Sequence, residues 1–421
     1  MTLNLNRLFI ISVSLIFLSF IIPKSPWGFF AHKRINRLAI FTLPPEMIPF
    51  YKYHLEYVTE HAVDPDKRRY LARLEAYRHY IDVDHWDVYP FDKMPRKWSD
   101  ALAKYTEVYV ITDTNDTLQL FGETVSVRVE QDWIVKSPDI YSLTNQDSLM
   151  LSYYDYKGFI INSILSQYYK ENWLLEVDSI LPLFDSIPVN QNLKGAYAKD
   201  KLTPYGILPW NLEQVQRRLQ KAFETKDLNR ILRHSADLGH YIGDAHVPLH
   251  TTENYNGQLT NQVGIHAFWE SRLPELFADE TYDYFVGKAD YIDNPNAYYW
   301  QIVLDSHVLL DSVLAIEKEL KNTLSDDQLY CFENKGQAMI RTECFEFADI
   351  YHQRLDGMVE SRMRAAIKAV GDAWYTAWVD AGQPNLNEFL VDYEPTIVEQ
   401  KERKTLENQL KTGKALGRKH E

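Results

Sequence analysis

The strongest constraint on the fold is a dense run of histidine and aspartate residues at helical spacing. From His234 to His250 the chain reads HSADLGHYIGDAHVPLH. His240 and Asp244 are four residues apart, so a helix would place both side chains on one face. Pro248 would end or bend that helix, which lets His250 turn back toward the same face. The run therefore predicts a helix that carries part of a metal site.

A second imidazole–carboxylate pair follows in the segment GIHAFWE, where His266 and Glu270 are again four residues apart. Imidazole nitrogens and carboxylate oxygens are ligands for divalent metals, and for zinc in particular. One such pair usually caps a helix or lies on the surface. Two pairs joined by a Pro-x-His turn favour a metal site. Spacing alone does not connect them to the upstream histidines and acids near His32 and His79.

The composition is that of a large globular chain. Of its 421 residues, 45% are hydrophobic, which excludes disorder as the dominant state. A formal net charge of −14 disfavours a protein that coats nucleic acid generally, although metal ions could supply positive charge locally for a phosphodiester. Two cysteines exclude a disulfide scaffold. Cys331 and Cys344 could pair, or remain free or buried thiols.

Helical periodicity recurs along the chain and predicts a mainly all-α fold. We expect helices over residues 30–42, 46–62, 211–224, 227–245, 297–323 and 345–381. Asn211 is a plausible N-cap of the third helix, and the segment Gly382-Gln383-Pro384 should end the last one.

Between these helices, residues 104–130 alternate β-branched and polar side chains between turn signals, which predicts a small hairpin. We expect residues 134–204 to mix helix with polar loops. The predicted organisation is a single helical domain over 27–398 with a β-containing insertion at about 104–204. The charged tail, 399–421, should be a solvated, frayed helix.

Residues 1–26 resemble a targeting segment. Residues 8–22 are apolar apart from three serines, and as a helix they would span about 22 Å, less than the roughly 30 Å bilayer core. This favours a signal peptide and an exported protein, periplasmic or secreted. An uncleaved membrane anchor is the alternative, because the residues before Trp27 lack the small-x-small pattern that signal peptidase prefers.

Taken in order, the motifs resemble the zinc-dependent phospholipase C and single-strand-specific nuclease superfamily. The matching pieces lie within residues 27–270 and read WGxxxH, a PD segment, RHYID, HYIGDxxxPLH and HxxxE. WGxxxH and RHYID look more like the nuclease branch. Glu270, where that branch usually has Asp, looks more like the phospholipase branch. The resemblance implies a mainly helical domain that holds three zinc ions in one cleft.

The resemblance also implies the metal ligands. They form three sets: Asp66, His79, His240 and Asp244 for the first zinc; His250, His266 and Glu270 for the second; and the α-amino and carbonyl groups of Trp27, with His32 and Asp244, for the third. Asp244 would bridge two ions and offset part of their repulsion. The third set requires a chain that begins at Trp27, so we expect two to three zinc ions.

Neighbouring residues receive supporting roles. Asp64 is the alternative to Asp66 as a ligand of the first zinc. We prefer Asp66 because Arg69 lies three residues after it, as an arginine does in the nuclease pattern. Arg68 or Arg69 could clamp a phosphate oxygen, unless both belong to a surface charge run.

The remaining polar residues near these motifs have plainer readings. His246 should support the ligands or be exposed rather than bind metal. Asp82, Asp84 and His85 could orient His79 as hydrogen-bond acceptors.

The expected function is zinc-dependent phosphodiester hydrolysis by metal-activated water. Asp66 would orient that water or act as general base, and Arg69 would hold the phosphate. The expected partner is a phosphodiester, either nucleic acid or a phospholipid head group, and no stable protein partner is implied. The N-terminal motif favours a nuclease-like enzyme. A phospholipase C-like enzyme and a non-catalytic metal-binding surface protein are the alternatives.

Overall fold

The computed structural model describes residues 29–129, 132–168, 170, 173–185, 187–335, 338–412, 416 and 418. Within them the chain is mostly helical with small sheets, which confirms the predicted helical class. Residues 1–26 and Trp27 lie outside the described residues. No helix in the described part of the chain is both long enough and apolar enough to cross a membrane.

Short helices make up the first part of the described chain. They are α1 (Phe29–Ala39), α2 (Ile48–Tyr53), α3 (Leu55–Glu60), α4 (Asp64–Arg68), α5 (Arg73–Tyr77), α6 (Val83–Trp86) and α7 (Trp98–Tyr105). In α1 the apolar residues Ala31, Ile35 and Ala39 recur at helical spacing and are buried. That buried face packs α1 against the helices of the second half.

Strands dominate the segment that follows. Its elements are β1 (Thr106–Thr112), β2 (Thr117–Phe121), β3 (Ser126–Val129), β4 (Asp132–Val135), α8 (Pro138–Thr144), β5 (Leu149–Leu151), α9 (Tyr153–Phe159), β6 (Trp173–Leu175), α10 (Val177–Ile180) and β7 (Leu193–Asp200). They form a four-stranded antiparallel sheet in the order β2-β1-β7-β6 and a three-stranded sheet in the order β3-β4-β5.

The strand content exceeds the expectation of one hairpin, and residues 134–204 contribute strands rather than only helix and loops. β7 pairs with β1 from Thr106 opposite Asp200 to Thr112 opposite Leu193. This pairing joins segments far apart in the chain, so a local pattern does not reveal it. Apolar residues of β1 and β2 share one core with the later helices Leu208–Glu224 and Leu228–Ala245. The assignment of 104–204 as an insertion stays a prediction.

Longer helices form the second half. Its elements are α11 (Leu208–Glu224), α12 (Leu228–Ala245), α13 (Ile265–Ala267), α14 (Leu273–Thr281), α15 (Pro295–His307), α16 (Leu310–Thr323), α17 (Asp326–Leu329), β8 (Tyr330–Lys335), β9 (Ala338–Glu343), α18 (Phe345–Arg354), α19 (Met358–Asp380) and α20 (Ile397–Thr412). β8 and β9 pair as a hairpin that the sequence analysis did not predict. A disulfide joins Cys331 to Cys344 across its base.

Several helix boundaries differ from the expectation. α11 begins at Leu208, so Asn211 is not its N-cap and is buried inside the helix. Pro209 occupies the first turn, where its missing N–H needs no partner. The range 345–381 divides into α18 and α19 at Gly357, whose φ is 72°. The range 297–323 likewise divides into α15 and α16.

Candidate metal centre

Helix α12 forms the floor of the candidate centre. It begins at an N-cap, Asp227, whose carboxylate accepts the backbone N–H of Arg230. Its later turns are buried on all sides, including His240 and Asp244. Because these two residues are one helical turn apart, both side chains point into the same cleft.

Two glycines of α12 let α1 approach closely enough to add His32 to the cleft. A Cβ at Gly239 would lie 2.0 Å from the Oδ1 of Asn36, and a Cβ at Gly243 would lie 2.8 Å from the Nδ1 of His32. Neither side chain could stay in place if these residues were larger. As a result, the Nε2 of His32 lies 3.4 Å from Asp244 Oδ1.

The turn after α12 brings in the next imidazole, as the Pro-x-His motif predicted. A 3₁₀ turn, Pro248–Thr251, follows the helix, and its His250 Nε2 lies 3.7 Å from Asp244 Oδ1. His266 and Glu270 lie on a helical segment whose central turn, Phe268–Arg272, is π-helical. Their facing atoms, Nε2 and Oε2, are 2.7 Å apart.

Residues from the first half close the other side. The Nδ1 of His79 lies 2.9 Å from Asp244 Oδ2 and 3.0 Å from His240 Nε2. Asp66 Oδ1 is 3.8 Å from that same Nδ1 of His79. Asp64 faces elsewhere, because its carboxylate contacts His61 and Lys67. The structure therefore places Asp66, the preferred candidate, beside the other predicted ligands.

Within the described residues, three groups could hold a metal ion, each with ligand atoms within 4.8 Å of one another. The groups are His32 with His240 and Asp244; Asp66 with His79 and His240; and His250 with His266 and Glu270. The group of His250, His266 and Glu270 is the same set of residues that the resemblance implied for the second zinc. His240 belongs to both other groups. Every predicted ligand except Trp27, which is outside the described residues, lies in this cleft.

Hydrogen bonds on the outer side of the rings fix which nitrogen faces the cleft. His240 donates through Nδ1 to the carbonyl of Ala62 at 2.8 Å, and His266 donates through Nδ1 to the carbonyl of Tyr255 at 2.9 Å. In a neutral ring this arrangement leaves the Nε2 lone pair pointing into the cleft. Backbone acceptors orient metal-binding histidines in the same way.

The electrostatics of the cleft call for a cation. Burial, with the charge of His32 next, lowers the pKa of His240 well below its usual range, so the ring is neutral at pH 7. The lone pair of its Nε2 then faces Asp244 Oδ2 at 3.3 Å. Burial, followed by the charges of Glu270 and Asp66, raises the pKa of Asp244 well above its usual range. A dication among these atoms would relieve each of these conflicts, so the residues fit a metal.

Glu270 behaves differently. Burial would raise the pKa of Glu270, but its contacts with the imidazoles of His250, His266 and His32 outweigh burial and hold that pKa well below its usual range. The carboxylate is therefore ionised and available as a ligand at neutral pH. Its Oε1 lies 3.2 Å from His32 Nε2. Glu270 therefore also connects the group of His250, His266 and Glu270 to the group that contains His32.

The two candidate arginines have separate surroundings. Arg68 is buried and pairs with Glu75 and Asp237, which excludes the surface charge run and assigns it to the support beneath α12. Arg69 is also buried, and its Nη1 donates to Asp66 Oδ1 at 3.4 Å. Only Arg69 of this pair therefore adjoins the candidate ligands through Asp66.

His246, which we did not expect to bind metal, lies outside the three groups, whereas Asp84 and His85 have contacts other than the expected ones. His246 is buried, and its Nδ1 donates to the carbonyl of Ile242. Asp84 accepts hydrogen bonds from Thr252 and the backbone of Glu253, and His85 stacks on Tyr205. Asp84 and His85 therefore contact neighbours other than His79, whose orientation the sequence analysis assigned to them.

The sequence analysis missed Arg418. This residue of the charged tail forms an ion pair with Asp82, 336 residues away in the chain. Asp82 is thereby committed to the tail rather than to His79. The basic composition of residues 411–420 was the one available signal, and it does not reveal where such a tail docks.

The chain matches no known protein in any comparison: no family model, no curated protein and no solved structure shows similarity to it. The family resemblance therefore rests on the ordered motifs alone.

Proposed function

We propose that this chain is a zinc-dependent hydrolase of phosphodiesters, with a nuclease-like enzyme on single-stranded nucleic acid as the favoured form. The observation that carries the proposal is the set of three adjoining groups of imidazoles and carboxylates in one cleft, two of which share His240. A structural zinc site is normally closed by four protein ligands. Each of these groups has three, which leaves room for water and substrate.

The residues divide the work as follows. The three groups would hold two to three zinc ions, which when bound lower the pKa of water toward 7 and so supply a hydroxide nucleophile. Among the candidate ligands that the structure describes, Asp66 is the most exposed, with 23% of its side chain accessible, and it can accept the proton of an attacking water. Arg69 adjoins Asp66 and can donate two hydrogen bonds to the non-bridging phosphate oxygens.

The nature of the phosphodiester rests on the motifs. WGxxxH and RHYID support the nuclease-like form. Glu270 supports a phospholipase C-like enzyme as the second candidate, because it stands where the nuclease branch usually has Asp. Three adjoining groups with incomplete ligand sets argue against a non-catalytic role.

Export also remains a proposal, and N-terminal sequencing of the mature protein would show whether Trp27 is its first residue.

The test is a substrate panel on protein of measured zinc content. Elemental analysis should give two to three zinc ions per chain. Release of product is then measured from single-stranded DNA, RNA and phosphatidylcholine. Activity on nucleic acid alone supports the nuclease, activity on lipid alone supports the phospholipase, and zinc without activity on any substrate would overturn both.

Paired variants on α12 sharpen the panel. His240→Ala should abolish turnover and lower the zinc content, because His240 belongs to two of the three groups. His234→Ala is the matched control, a histidine on the same helix outside those groups. Full activity of the His240→Ala protein would contradict the proposed site.

A further inference from the structure

The mouth of the metal centre holds a pocket that binds a guanidinium group. Asp82 is fully buried, and its carboxylate forms two hydrogen bonds with Arg418, Nη1 to Oδ1 at 2.8 Å and Nη2 to Oδ2. The guanidinium carbon lies 3.7 Å from the ring centroid of Tyr80 and 4.7 Å from that of Tyr255. A bidentate carboxylate and two aromatic faces together make a specific site for a planar cation.

Each wall of this pocket adjoins a candidate metal ligand. Tyr80 directly follows His79 in the chain. The carbonyl of Tyr255 accepts the hydrogen bond that orients His266. The pocket and the metal centre are therefore parts of one cleft, and what fills the pocket lies next to the candidate ligands.

The tail also engages the arginine that would hold substrate. Arg69 donates through Nη2 to the backbone carbonyl of Arg418, and its own carbonyl accepts the N–H of Leu416 at 3.0 Å. The carbonyl oxygen of Arg418 thus occupies one N–H of the guanidinium that the proposed function assigns to a phosphate. Tail and phosphodiester cannot both use that donor.

Polar contacts hold α20, the helix from which the tail continues. Arg233 pairs bidentately with Glu402 at 2.9 and 2.8 Å, and Asn229 donates to Glu399. Arg233 and Glu402 are each about one-third exposed, so salt screens their pairing and its contribution is modest. None of the side chains of α20 that the structure describes is buried. The tail is therefore tethered near the cleft by contacts weak enough to break.

We propose that the C-terminal tail is an internal inhibitor of the proposed phosphodiesterase: Arg418 occupies the pocket of Asp82, Tyr80 and Tyr255, engages Arg69, and must leave before a phosphodiester can bind there. The inhibitory effect rests on the proposed function; the occupied pocket does not. Once Arg418 leaves, Asp82 is a buried carboxylate without its cation, so the pocket retains affinity for a guanidinium.

The kinetic test compares full-length, zinc-loaded variants. Arg418→Ala should lower KM for a small diester, bis(p-nitrophenyl) phosphate, by about fivefold with kcat unchanged, since a competing occupant reduces only the competent fraction. Arg418→Lys keeps the charge but loses the bidentate contact, so its KM should lie between the values of the parent and of Arg418→Ala. Arg403→Ala is the matched control, because it removes an exposed arginine of α20 whose partner among the described residues is Glu407 on the same helix.

A binding test separates this inference from the proposed activity. A fluorescent peptide with the sequence of residues 413–421 is titrated into zinc-loaded protein and followed by anisotropy. It should bind the Arg418→Ala protein with a Kd of about 1 mM or tighter, since a short tether supplies an effective concentration of that order. It should bind the parent about fivefold more weakly, because the tail leaves only about one fifth of the parent molecules open, and a peptide carrying the same substitution should bind neither.

The outcomes are distinct. If no diester is cleaved but the peptide binds the Arg418→Ala protein more tightly than the parent, the proposed function fails and the guanidinium pocket stands. If the diester is cleaved with the same KM in parent and both variants, and the peptide binds none of them, the internal inhibitor is overturned. Equal peptide binding by parent and variant overturns it as well.

Discussion

Replacing Asp244 by asparagine perturbs the one carboxylate that faces most of the candidate imidazoles. Its oxygens lie 2.9 Å from His79, 3.3 Å from His240, 3.4 Å from His32 and 3.7 Å from His250. Asparagine keeps the shape but removes the negative charge that a dication needs. We therefore expect Asp244→Asn to lose zinc from the groups around His240, while the group of His250, His266 and Glu270 keeps its metal.

The size of the effect follows from linkage. One zinc ion held at a free concentration of 100 times its Kd stabilises the fold by about 2.7 kcal/mol. An unfolding entropy of about 2.1 cal/mol/K per residue gives roughly 0.85 kcal/mol/K for a chain of this length, so each site raises Tm by about 3 °C. We expect a zinc-dependent shift of about 6 °C or more in the parent, and about 3 °C in the Asp244→Asn protein.

Without metal, the Asp244→Asn protein should be at least as stable to heating as the parent. Burial raises the pKa of Asp244 well above its usual range, with the charges of Glu270 and Asp66 adding to it, so ionised Asp244 costs stability when no cation is present. After chelation, the Asp244→Asn protein should melt at the same temperature as the parent or higher.

The assay is thermal unfolding across a zinc-buffer series, with zinc counted by elemental analysis. Asp372→Asn is the control: Asp372 is also buried, but it accepts hydrogen bonds from Tyr298 and Lys368 and belongs to none of the three groups. It should lower the melting temperature of the metal-free protein and leave the zinc-dependent shift intact. An Asp244→Asn protein with the parent's zinc content and shift would refute the reasoning.

Two further substitutions test the surroundings of the centre. Gly243→Ala places a methyl group 2.8 Å from His32 Nδ1, so it should displace His32 and weaken zinc binding about tenfold or more, measured by competition with a chromophoric chelator; unchanged affinity would show that the close approach is not needed. Burial, with the charges of Arg218 and Arg233 next, lowers the pKa of His234 to about 3, below its unfolded value, so its contribution is complete above pH 6.5 and falls as the pH decreases toward 3. Because the ring is partly exposed, we expect the parent to lose about 2 kcal/mol more stability than His234→Gln between pH 7 and 4, measured by urea denaturation of chelated protein; parallel losses in the two proteins would contradict this.

Local patterns predicted α1 and α12, the helices that carry His32, His240 and Asp244. The spacing of His240 and Asp244 is a property of the helix itself, so α12 presents both side chains to one side wherever it packs. Pro248 ends the helix because its ring restricts φ and its nitrogen carries no hydrogen. The turn that brings His250 back toward α12 could therefore also be predicted from the sequence. The start of α11 was placed wrongly because Asn211 looked like a cap, while Pro209 suits the first turn better.

Contacts between distant segments escaped prediction. β7 pairs with β1 across nearly a hundred residues, and the strands between them carry too few alternating residues to stand out from loops. Arg418 reaches Asp82 although no local pattern links a basic tail to a buried carboxylate. Such contacts depend on which surfaces meet after packing, and a single sequence holds no direct record of that.

By itself, the sequence determined the helical class and the residue types that could bind a dication, because both depend on periodicities of a few residues. Only the tertiary structure decided that these residues share one cleft, that Asp66 faces it while Asp64 does not, and that the tail returns to its mouth. The reason is physical: backbone geometry sets the direction of a side chain within its own helix, whereas the packing of α1 against α12 through Gly239 and Gly243 sets which side chains meet.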